Sequence, residues 1–398
     1  MRFETELVQF DAAPGDPYGP TVTPLYQTAT FKRESFDEEP EYDYTRSGNP
    51  TRRVLEDHLA RLEGGTRSAV FASGMAALAA VTSLVKTGEV ILAGIDLYGG
   101  TYRLFTRVLD GLGIQAKYVD TTNLDAVREA LDRDKPRLVL IETPTNPLLR
   151  VTRIREVAAL VHARGALLAV DNSLLSPYLQ RPLEHGADLV VHSATKYLCG
   201  HSDVTAGAVV WRDEELGKQV LFHQNAVGTA LAPFEAWLLL RGVKTLALRI
   251  DRQQESAGKI ASFLALHPRV TRVHYLGLPT HPEREAHFAQ ARGAGGVLAF
   301  ETGCVELSTR LVEAVKLFGI TVSFGGVASS IGLPARMSHA SIPAEVRRSR
   351  RLPEDLVRVS IGIEHVDDLV ADLAQALDAA SASVPVEKEV TTCPQPVW

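Results

Sequence analysis

The stretch Asp188–Ser202 reads DLVVHSATKYLCGHS and combines a buried strand with a lysine. Its apolar residues 189–191 are typical of a strand that is covered on both faces. Lys196 follows a few residues later, between small hydroxylated side chains and a glycine turn. Lysine is rarely buried, because an ammonium group is costly to remove from water. Two interpretations remain: a lysine whose stem lies along the surface with its charge in water, or a neutral amine that forms a Schiff base with an aldehyde.

A second stretch, Gly165–Leu179, reads GALLAVDNSLLSPYL and contains an apolar strand that ends on Asp171. A carboxylate at the end of a buried strand needs a cationic partner. The ring nitrogen of pyridoxal phosphate (PLP) would be one, and PLP enzymes need both a lysine for the aldehyde and an acid for this nitrogen. The turn and short helix between the two strands bring both ends to one edge of a sheet. Together, Lys196 and Asp171 favour PLP as the cofactor.

The composition excludes several classes of protein. With 398 residues, the chain is long enough for about two or three domains. Its formal net charge of −6 argues against nucleic acid as a main partner. It lacks the run of about 18 apolar residues that a membrane span requires, and its start, MRFETELVQFD, is too acidic for a signal peptide. We therefore predict a cytoplasmic protein without a membrane partner.

The three cysteines are few, odd in number and widely spaced. Cys199, Cys304 and Cys393 form neither a disulfide framework nor a metal-binding motif. This usage fits a reducing compartment such as the cytoplasm. We expect no metal, and we expect Cys199, although close to Lys196 in the sequence, to be a buried structural thiol.

Strand and helix patterns alternate from about residue 66 to 211 and predict a mostly parallel α/β sheet. One strand leads through a tight turn at Gly74 into an apolar helix, whose exposed N–H groups would suit a phosphate. Such turns are common, so this signal is weak by itself. Other strands end near Tyr98, and near Glu142 and Asn146. These candidates all follow strands at the sheet edge where open α/β sheets bind ligands.

Three regions are predicted from the remaining patterns. Residues 1–46 contain several prolines and read as an N-terminal arm that lies on a neighbouring subunit. Residues 47–242 would form the PLP-binding α/β domain. Residues 243–398 would form a smaller α+β domain with an antiparallel sheet, reached through a long helix in the segment 231–267. Its strands are expected in VTRVHYLG, GGVLAFET and ITVSFGG, and residues 381–398 are expected to be a tail.

The chain resembles the PLP-dependent enzymes of cysteine and methionine metabolism. The signature is DLVVHSATKYLCGHS, and the resemblance runs from Pro24 to Leu377. Segments similar to the plant-type cystathionine β-lyases in particular are VDNSLLSPYLQRPLEHGAD (170–188), LAPFEAWLLLRGVKTLALRI (231–250), RMSHASIPAEVR (336–347) and EDLVRVSIGIEHVDDL (354–369). The resemblance implies the aspartate aminotransferase-like fold, called fold type I, with a seven-stranded type of sheet. It also implies a homodimer that completes the active site, usually paired into a homotetramer.

The resemblance also implies roles for individual residues. Lys196 would hold PLP as a Schiff base and move the substrate proton, Asp171 would hold the ring nitrogen, and Tyr98 would stack on the ring and assist proton transfer. The other implied cofactor residues are Gly74, Met75, Ser193 and Thr195, with Tyr44 and Arg46 reaching across the dimer interface. Tyr44 would also take part in catalysis and line the substrate site. The implied substrate residues are Arg358 for the carboxylate, Asn146 and Ser323, and Arg103 is a candidate for a distal substrate group.

The implied reaction is β-elimination of L-cystathionine to homocysteine, pyruvate and ammonia. The alternatives are a cystathionine γ-lyase, a cystathionine γ-synthase or a methionine γ-lyase, which share the same first proton removal. Phe324 follows the β-lyase pattern. Val322 lacks the acid of γ-synthases and some γ-lyases, but methionine γ-lyase types also have valine there. Gly100 departs from methionine γ-lyases, which have cysteine there, and Gly326 departs from the plant pattern, which has serine. A non-catalytic regulator would have lost Lys196, Asp171 or Arg358, and all three are present.

Overall fold

The computed structural model describes residues 1–37 and 39–383. Its larger sheet has seven strands in the order β1-β7-β6-β5-β4-β2-β3. Strand β7 is antiparallel to its neighbours β1 and β6, and the other pairs are parallel. The strands are β1 (Arg67–Phe71), β2 (Val90–Gly94), β3 (Gln115–Val119), β4 (Leu138–Glu142), β5 (Leu167–Asp171), β6 (Leu189–His192) and β7 (Gly207–Trp211). The predicted α/β class with a mostly parallel seven-stranded sheet is confirmed.

The described residues contain fourteen α-helices. Those of the larger half are α1 (Phe3–Glu6), α2 (Pro50–Glu63), α3 (Gly74–Thr82), α4 (Gly99–Arg103), α5 (Leu124–Asp134), α6 (Ile154–His162), α7 (Ser176–Leu179), α8 (Glu214–Val227) and α9 (Pro233–Val243). Those that follow are α10 (Leu246–Leu266), α11 (Arg284–Phe288), α12 (Val305–Ala314), α13 (Ala344–Ser349) and α14 (Val366–Ser383). A π-helical segment spans Leu104–Leu109, and 3-10 turns span Asp110–Leu112, Pro182–His185 and Pro334–Arg336.

The apolar strands of the large sheet are buried on both faces. In β4, Leu138 and Leu140 enter the core beneath α3, whereas Val139 and Ile141 enter the core beneath α5 and α6. Successive side chains of a strand point to opposite faces, so a strand between two helical layers must be apolar throughout. The first polar residues therefore fall where each strand leaves the sheet.

Helix α2 shows why its boundaries could be predicted. The Asn49 side chain accepts a hydrogen bond from the Thr51 N–H, and Pro50 occupies the first helical position. Both features are favoured at helix starts. The helix ends at Gly64, whose φ of 72° places it in the left-handed region that suits glycine.

The smaller sheet has five strands in the order β10-β11-β12-β9-β8. They are β8 (Arg272–His274), β9 (Val297–Glu301), β10 (Gly319–Ile320), β11 (Ser330–Gly332) and β12 (Val357–Ser360). All pairs are antiparallel except β10 with β11, which are parallel. The α+β character of this half is as expected, and the domain boundaries 47–242 and 243–398 remain predictions.

The prediction of a strand throughout ITVSFGG is wrong. Only its first residue belongs to β10, and the chain then leaves the sheet. Ser323 and Gly325 have φ values of 87° and 83°, far from the extended conformation. The apolar pattern indicated a strand, but these two residues turn the backbone towards Lys196 instead.

Helix α10 connects the two halves, as the long apolar segment predicted. Its first turns, with Leu246 and Ile250, pack in the core of the larger half. Its later turns, with Ile260 and Leu264, pack in the core of the smaller half. One rigid helix thus fixes how the two sheets lie relative to each other.

The N-terminal arm has some structure of its own. The arm was predicted to be extended, but its first residues form the short helix α1. Phe3 of this helix packs with Leu7 in the core that includes Tyr178. By contrast, Tyr18 and Phe36 are 92% and 100% exposed. The start of the arm is therefore anchored in this chain's own core. The contact of residues 1–46 with a neighbouring subunit stays a prediction.

Helix α14 continues to Ser383, so the predicted tail begins later than residue 381. The rest of the predicted tail, with Cys393, lies outside the described residues. Cys199 is buried and carries a free thiol, as predicted. None of the helices in the described part of the chain is long and apolar enough to cross a membrane.

Candidate active site

A cavity of about 530 Å³ opens where β2, β4, β5 and β6 end and where the smaller sheet approaches. The predicted site residues that line it are Gly74, Met75, Tyr98, Asn146, Asp171, Ser193, Thr195, Lys196, Ser323 and Arg358, with Arg103 also present. A larger cavity of about 870 Å³ around Arg150, His274 and Glu301 contains none of them. The convergence of these residues from two sheets, and not the cavity size, identifies the candidate site.

Lys196 lies in the turn after β6 and is partly buried. Its Nζ donates a hydrogen bond of 2.5 Å to Ser323 Oγ and lies 5.1 Å from the centre of the Phe324 ring. Burial, together with the positive charge of Arg358, lowers the pKa of Lys196 to about 8, although Asp171 acts in the opposite direction. A larger fraction of the amine than in an ordinary lysine is therefore neutral near neutral pH, and this form can act as a nucleophile or base.

Asp171 ends β5, beside β6, and is held by its neighbour Ser173. Its Oδ1 accepts hydrogen bonds from Ser173 N at 2.9 Å and Ser173 Oγ at 2.5 Å. Ser173 Oγ in turn accepts the Ser193 N–H at 2.6 Å. Burial raises the pKa of Asp171, and these hydrogen bonds, with the charges of His192 and Lys196, oppose that rise. A further cation at this carboxyl group would stabilise its ionised form.

The start of helix α3 forms another wall of the cavity. Ser73 caps this helix by accepting the Ala76 N–H, and Gly74 is its first residue. A Cβ at Gly74 would lie 2.9 Å from Ser193 Cβ, so only glycine allows this close approach. Thr195 lies nearby, where its Oγ1 accepts the Ala206 N–H at 2.9 Å. Backbone N–H groups at a helix start, next to hydroxyl groups, suit a phosphate.

Arg358 reaches the cavity from β12 of the smaller sheet. It is 4% exposed, and its Nε is buried without a hydrogen-bond partner. The Asn146 Oδ1, in the loop after β4, is likewise buried and without a partner. Burial lowers the pKa of Arg358 to about 10, which still leaves it charged at neutral pH. Its Nη2 makes one long hydrogen bond, of 3.5 Å, to the Thr321 backbone oxygen. A buried guanidinium group with an unpaired Nε suits a carboxylate ligand.

Tyr98 precedes helix α4 and is half-exposed at the cavity mouth. Its ring lies against Gly100, where an added Cβ would be 2.3 Å from Tyr98 Cε1. The Tyr98 backbone N–H donates to Glu142 Oε2 at 3.1 Å. A glycine at position 100 therefore allows the ring to take this position.

Tyr44 and Arg46 lie outside the cavity. Arg46 Nη1 donates to the backbone oxygen of Asn225 at 2.7 Å, and its guanidinium lies 5.3 Å from the centre of the Tyr44 ring. Tyr44 is 42% exposed. Both side chains are thus on the surface of this chain, and their roles in a neighbouring subunit stay predictions.

The sequence interpretation missed some of the cavity wall. Ser173 was not singled out, although it stands two residues after Asp171, a spacing at which an aspartate side chain often accepts the backbone N–H. Met337, Ser338 and Ser341 also line the cavity. Their segment was noted only as part of the resemblance, because nothing in its pattern indicates proximity to Lys196.

The arrangement fits PLP in three respects. Lys196 supplies an amine with a lowered pKa, the Asp171 carboxyl group at the end of β5 could pair with a protonated ring nitrogen, and the start of α3 can receive a phosphate. Amine, acid and phosphate site are the groups that PLP enzymes require. The fold and this chemistry together define a PLP-dependent enzyme of fold type I.

Comparisons with known proteins agree. The family model described as "Cys/Met metabolism PLP-dependent enzyme" matches residues 4–378. The chloroplastic cystathionine β-lyase of Arabidopsis thaliana is 57% identical over 90% of this chain and 77% of its own length. The cystathionine γ-lyase of Dictyostelium discoideum is 46% identical over 90% of this chain and 93% of its own length. A crystal structure of cystathionine γ-synthase from Xanthomonas oryzae superposes with a TM-score of 0.94 at 41% identity, covering 96% of this chain and 100% of that one.

The chain therefore belongs to the Cys/Met metabolism family of PLP-dependent enzymes. Its cofactor is PLP.

The pKa of Lys196 predicts how the protein without cofactor takes up PLP. Only the neutral amine attacks the aldehyde, so the uptake rate should rise with pH and level off above about pH 8, whereas an ordinary lysine, at 10.5, would level off much later. Stopped-flow absorbance of the apo-protein mixed with PLP measures this rate. The reaction of PLP with Nα-acetyl-lysine in the same buffers corrects for the ionisation of PLP itself. A corrected rate that still rises steeply at pH 10 would contradict the prediction.

Proposed function

We propose that this chain catalyses the β-elimination of L-cystathionine with water to homocysteine, pyruvate and ammonia. It is a PLP-dependent carbon–sulfur lyase by family and by its similarity to cystathionine β-lyases. The observation that carries the proposal is the wall beside Lys196, where Phe324 lies over the amine and Val322 provides no acid. The carboxyl groups among the cavity-lining residues are Glu142 and Asp171, both at the sheet edge.

PLP and the protein residues have different roles in the proposed reaction. When bound, PLP supplies an aldehyde that condenses with amines and a ring that stores the electron pair released at Cα. In our proposal Lys196 removes the Cα proton, for which its lowered pKa is suited. Asp171 holds a proton on the ring nitrogen, and Arg358 and Asn146 hold the substrate carboxylate so that the Cα–H bond points towards Lys196.

Elimination at Cγ would need more than these residues. It requires a second proton transfer at Cβ before the leaving group departs, so a γ-enzyme must place a proton-transferring group beside Cβ. Val322 cannot transfer protons, and the aromatic Phe324 restricts the space next to Lys196. A γ-lyase or γ-synthase nevertheless remains the second candidate, because relatives with these names are similar to the chain throughout.

The products decide between these candidates. We expect the PLP-loaded protein to convert L-cystathionine to pyruvate and homocysteine in equal amounts, as identified by mass spectrometry. A cystathionine γ-lyase would instead release 2-oxobutyrate and cysteine. Neither product, despite bound PLP, would favour γ-replacement on an activated homoserine and would refute the proposal. A sample reduced with borohydride controls for non-enzymatic breakdown.

Two parts of the proposal concern the chain's surroundings. We infer a homodimer, with Tyr44 and Arg46 completing the neighbour's site, and pairing of two dimers into a tetramer. The exposed positions of both side chains and the exposed later part of the arm support this. The composition supports a cytoplasmic location, as predicted, although the Arabidopsis relative is named chloroplastic. A regulator without catalysis is disfavoured, because Lys196, Asp171 and Arg358 all line one cavity.

A further inference from the structure

Glu142, the last residue of β4, joins two loops of the site through one side chain. Its Oε1 accepts the Asn146 N–H at 2.9 Å, from the loop after its own strand. Its Oε2 accepts the Tyr98 N–H at 3.1 Å, from the loop after β2. Strands β2 and β4 are neighbours in the sheet, so the carboxyl group spans the gap between adjacent strand ends.

The two loops carry side chains that have little other support. Within residues 1–37 and 39–383, the side chains of Tyr98 and Asn146 make no hydrogen bond, and Asn146 Oδ1 is buried without a partner. Apart from the packing of the Tyr98 ring against Gly100, their positions in the cavity depend on the backbone that carries them. Glu142 is the group that holds both backbones.

The electrostatic surroundings of Glu142 favour a neutral carboxyl group. Burial raises its pKa well above the usual range, and the carboxyl groups of Asp171 on β5 and Asp96 after β2 raise it further. The two backbone N–H groups oppose this effect. Asp171 lies directly beside Glu142 in the strand register and is itself faced by His192 and Lys196.

We propose that Glu142 is a positioning residue, whose single carboxyl group sets the Tyr98 ring and the Asn146 side chain in register with each other. This inference rests on the roles proposed above for Tyr98 and Asn146. If Tyr98 covers the cofactor ring and Asn146 contacts the substrate carboxylate, Glu142 links cofactor placement to substrate placement. It transfers no proton in this role and touches the reacting atoms only through the two loops.

The test compares three variants at this position. In Glu142→Gln, the amide oxygen can accept one N–H, but the NH₂ group cannot accept the other, so one loop loses its anchor. Glu142→Asp keeps both acceptor oxygens, but its shorter side chain places them farther from the two N–H groups. Glu142→Ala removes both acceptors. The matched control is Glu283→Gln, because Glu283 Oε2 accepts the Val151 N–H at 2.9 Å outside the cavity. It makes the same carboxyl-to-amide change away from Tyr98 and Asn146, and its amide oxygen can still accept the single Val151 N–H.

The measurements distinguish a role of Glu142 in positioning the two loops from a role in proton transfer. Visible circular dichroism of the holoenzyme reports the placement of the PLP ring, titration of the apo-protein gives the affinity for PLP, and steady-state kinetics give KM and kcat. We expect Glu142→Gln to weaken PLP affinity or to raise KM by about tenfold, the usual contribution of one hydrogen bond. Glu142→Ala should affect both quantities and reduce the dichroic band. Glu283→Gln should leave all three at wild-type values.

Other outcomes would overturn the inference. Unchanged dichroism, PLP affinity and KM in all three variants would show that Glu142 positions nothing. A fall in kcat and an altered pH profile alone would make it a proton-transfer group. Equal effects in Glu283→Gln would make the change one of general stability. If Glu142→Gln fails to fold, Glu142→Asp gives the same comparison. Dichroism and PLP affinity need no turnover, so they test this inference even if L-cystathionine is not the substrate.

Discussion

Replacing Lys196 with alanine is expected to abolish turnover of L-cystathionine, with a loss of about a thousandfold or more. The amine serves both as the attachment point of PLP and as the base at Cα, and a positioned acid–base group alone contributes about 10²–10⁴ in rate. The loss should appear in kcat measured with saturating PLP. An added small primary amine should restore part of the rate, because it supplies the missing base.

Lys244→Ala is a suitable control for the alanine variant. Lys244 Nζ lies 5.2 Å from the centre of the Phe10 ring, much as Lys196 Nζ lies 5.1 Å from that of Phe324, but outside the cavity. Its removal should leave kcat close to that of the wild type. Wild-type turnover by the Lys196→Ala protein would refute the central assignment of the site.

The second large effect is expected for Arg358→Lys. The guanidinium group can make two parallel hydrogen bonds to a carboxylate, and an ammonium group cannot reproduce that geometry. Hydrogen bonds to charged groups contribute about 1.5–3 kcal/mol, so KM for L-cystathionine should rise about ten- to a hundredfold. PLP affinity should change little, because Arg358 comes from the smaller sheet, whereas the residues proposed to hold PLP come from the larger half.

Arg249→Lys controls for the burial of the charge. Arg249 is also 4% exposed, and burial likewise lowers its pKa to about 10, yet it lies outside the cavity lining. We expect this variant to unfold at a lower temperature while keeping its KM. If both arginine variants raise KM equally, or if Arg358→Lys leaves KM unchanged, Arg358 does not bind the substrate carboxylate.

The large sheet could be predicted because its strands are buried on both faces. Runs such as Leu138–Glu142 and Leu167–Asp171 are apolar until the last residue, so the position of the first polar side chain marks the sheet edge. Parallel connections then bring these edges together. This physical regularity is enough to place Lys196 and Asp171 in one site without any relative in hand.

The contribution of the smaller sheet could not be derived in this way. Ser323 reaches Lys196 only because the backbone takes left-handed conformations at residues 323 and 325. Gly325 has no side chain to collide with Tyr197, whose backbone N would lie 2.8 Å from an added Cβ. Apolar periodicity carries no information about such a turn, and it suggested a strand instead. The resemblance alone indicated Ser323.

The role of Glu142 in joining two loops could not be predicted from the sequence either. Its position at a strand end was visible, but a carboxyl group that holds two backbone N–H groups from different loops depends on strand order. That order places β2 beside β4, although β3 lies between them in the chain. Sequence patterns indicate where strands are, and much less which strands are neighbours.

The division of the cavity between two sheets has a consequence for engineering. Lys196 and Asp171 belong to one sheet, whereas Phe324 and Arg358 belong to the other half, and α10 is built into both cores. A chimaera that takes the smaller half from a γ-specific relative would replace Phe324 and Arg358 together. The PLP-binding half would stay intact. The junction would have to fall outside α10, because a cut within it would join two cores that were never fitted to each other.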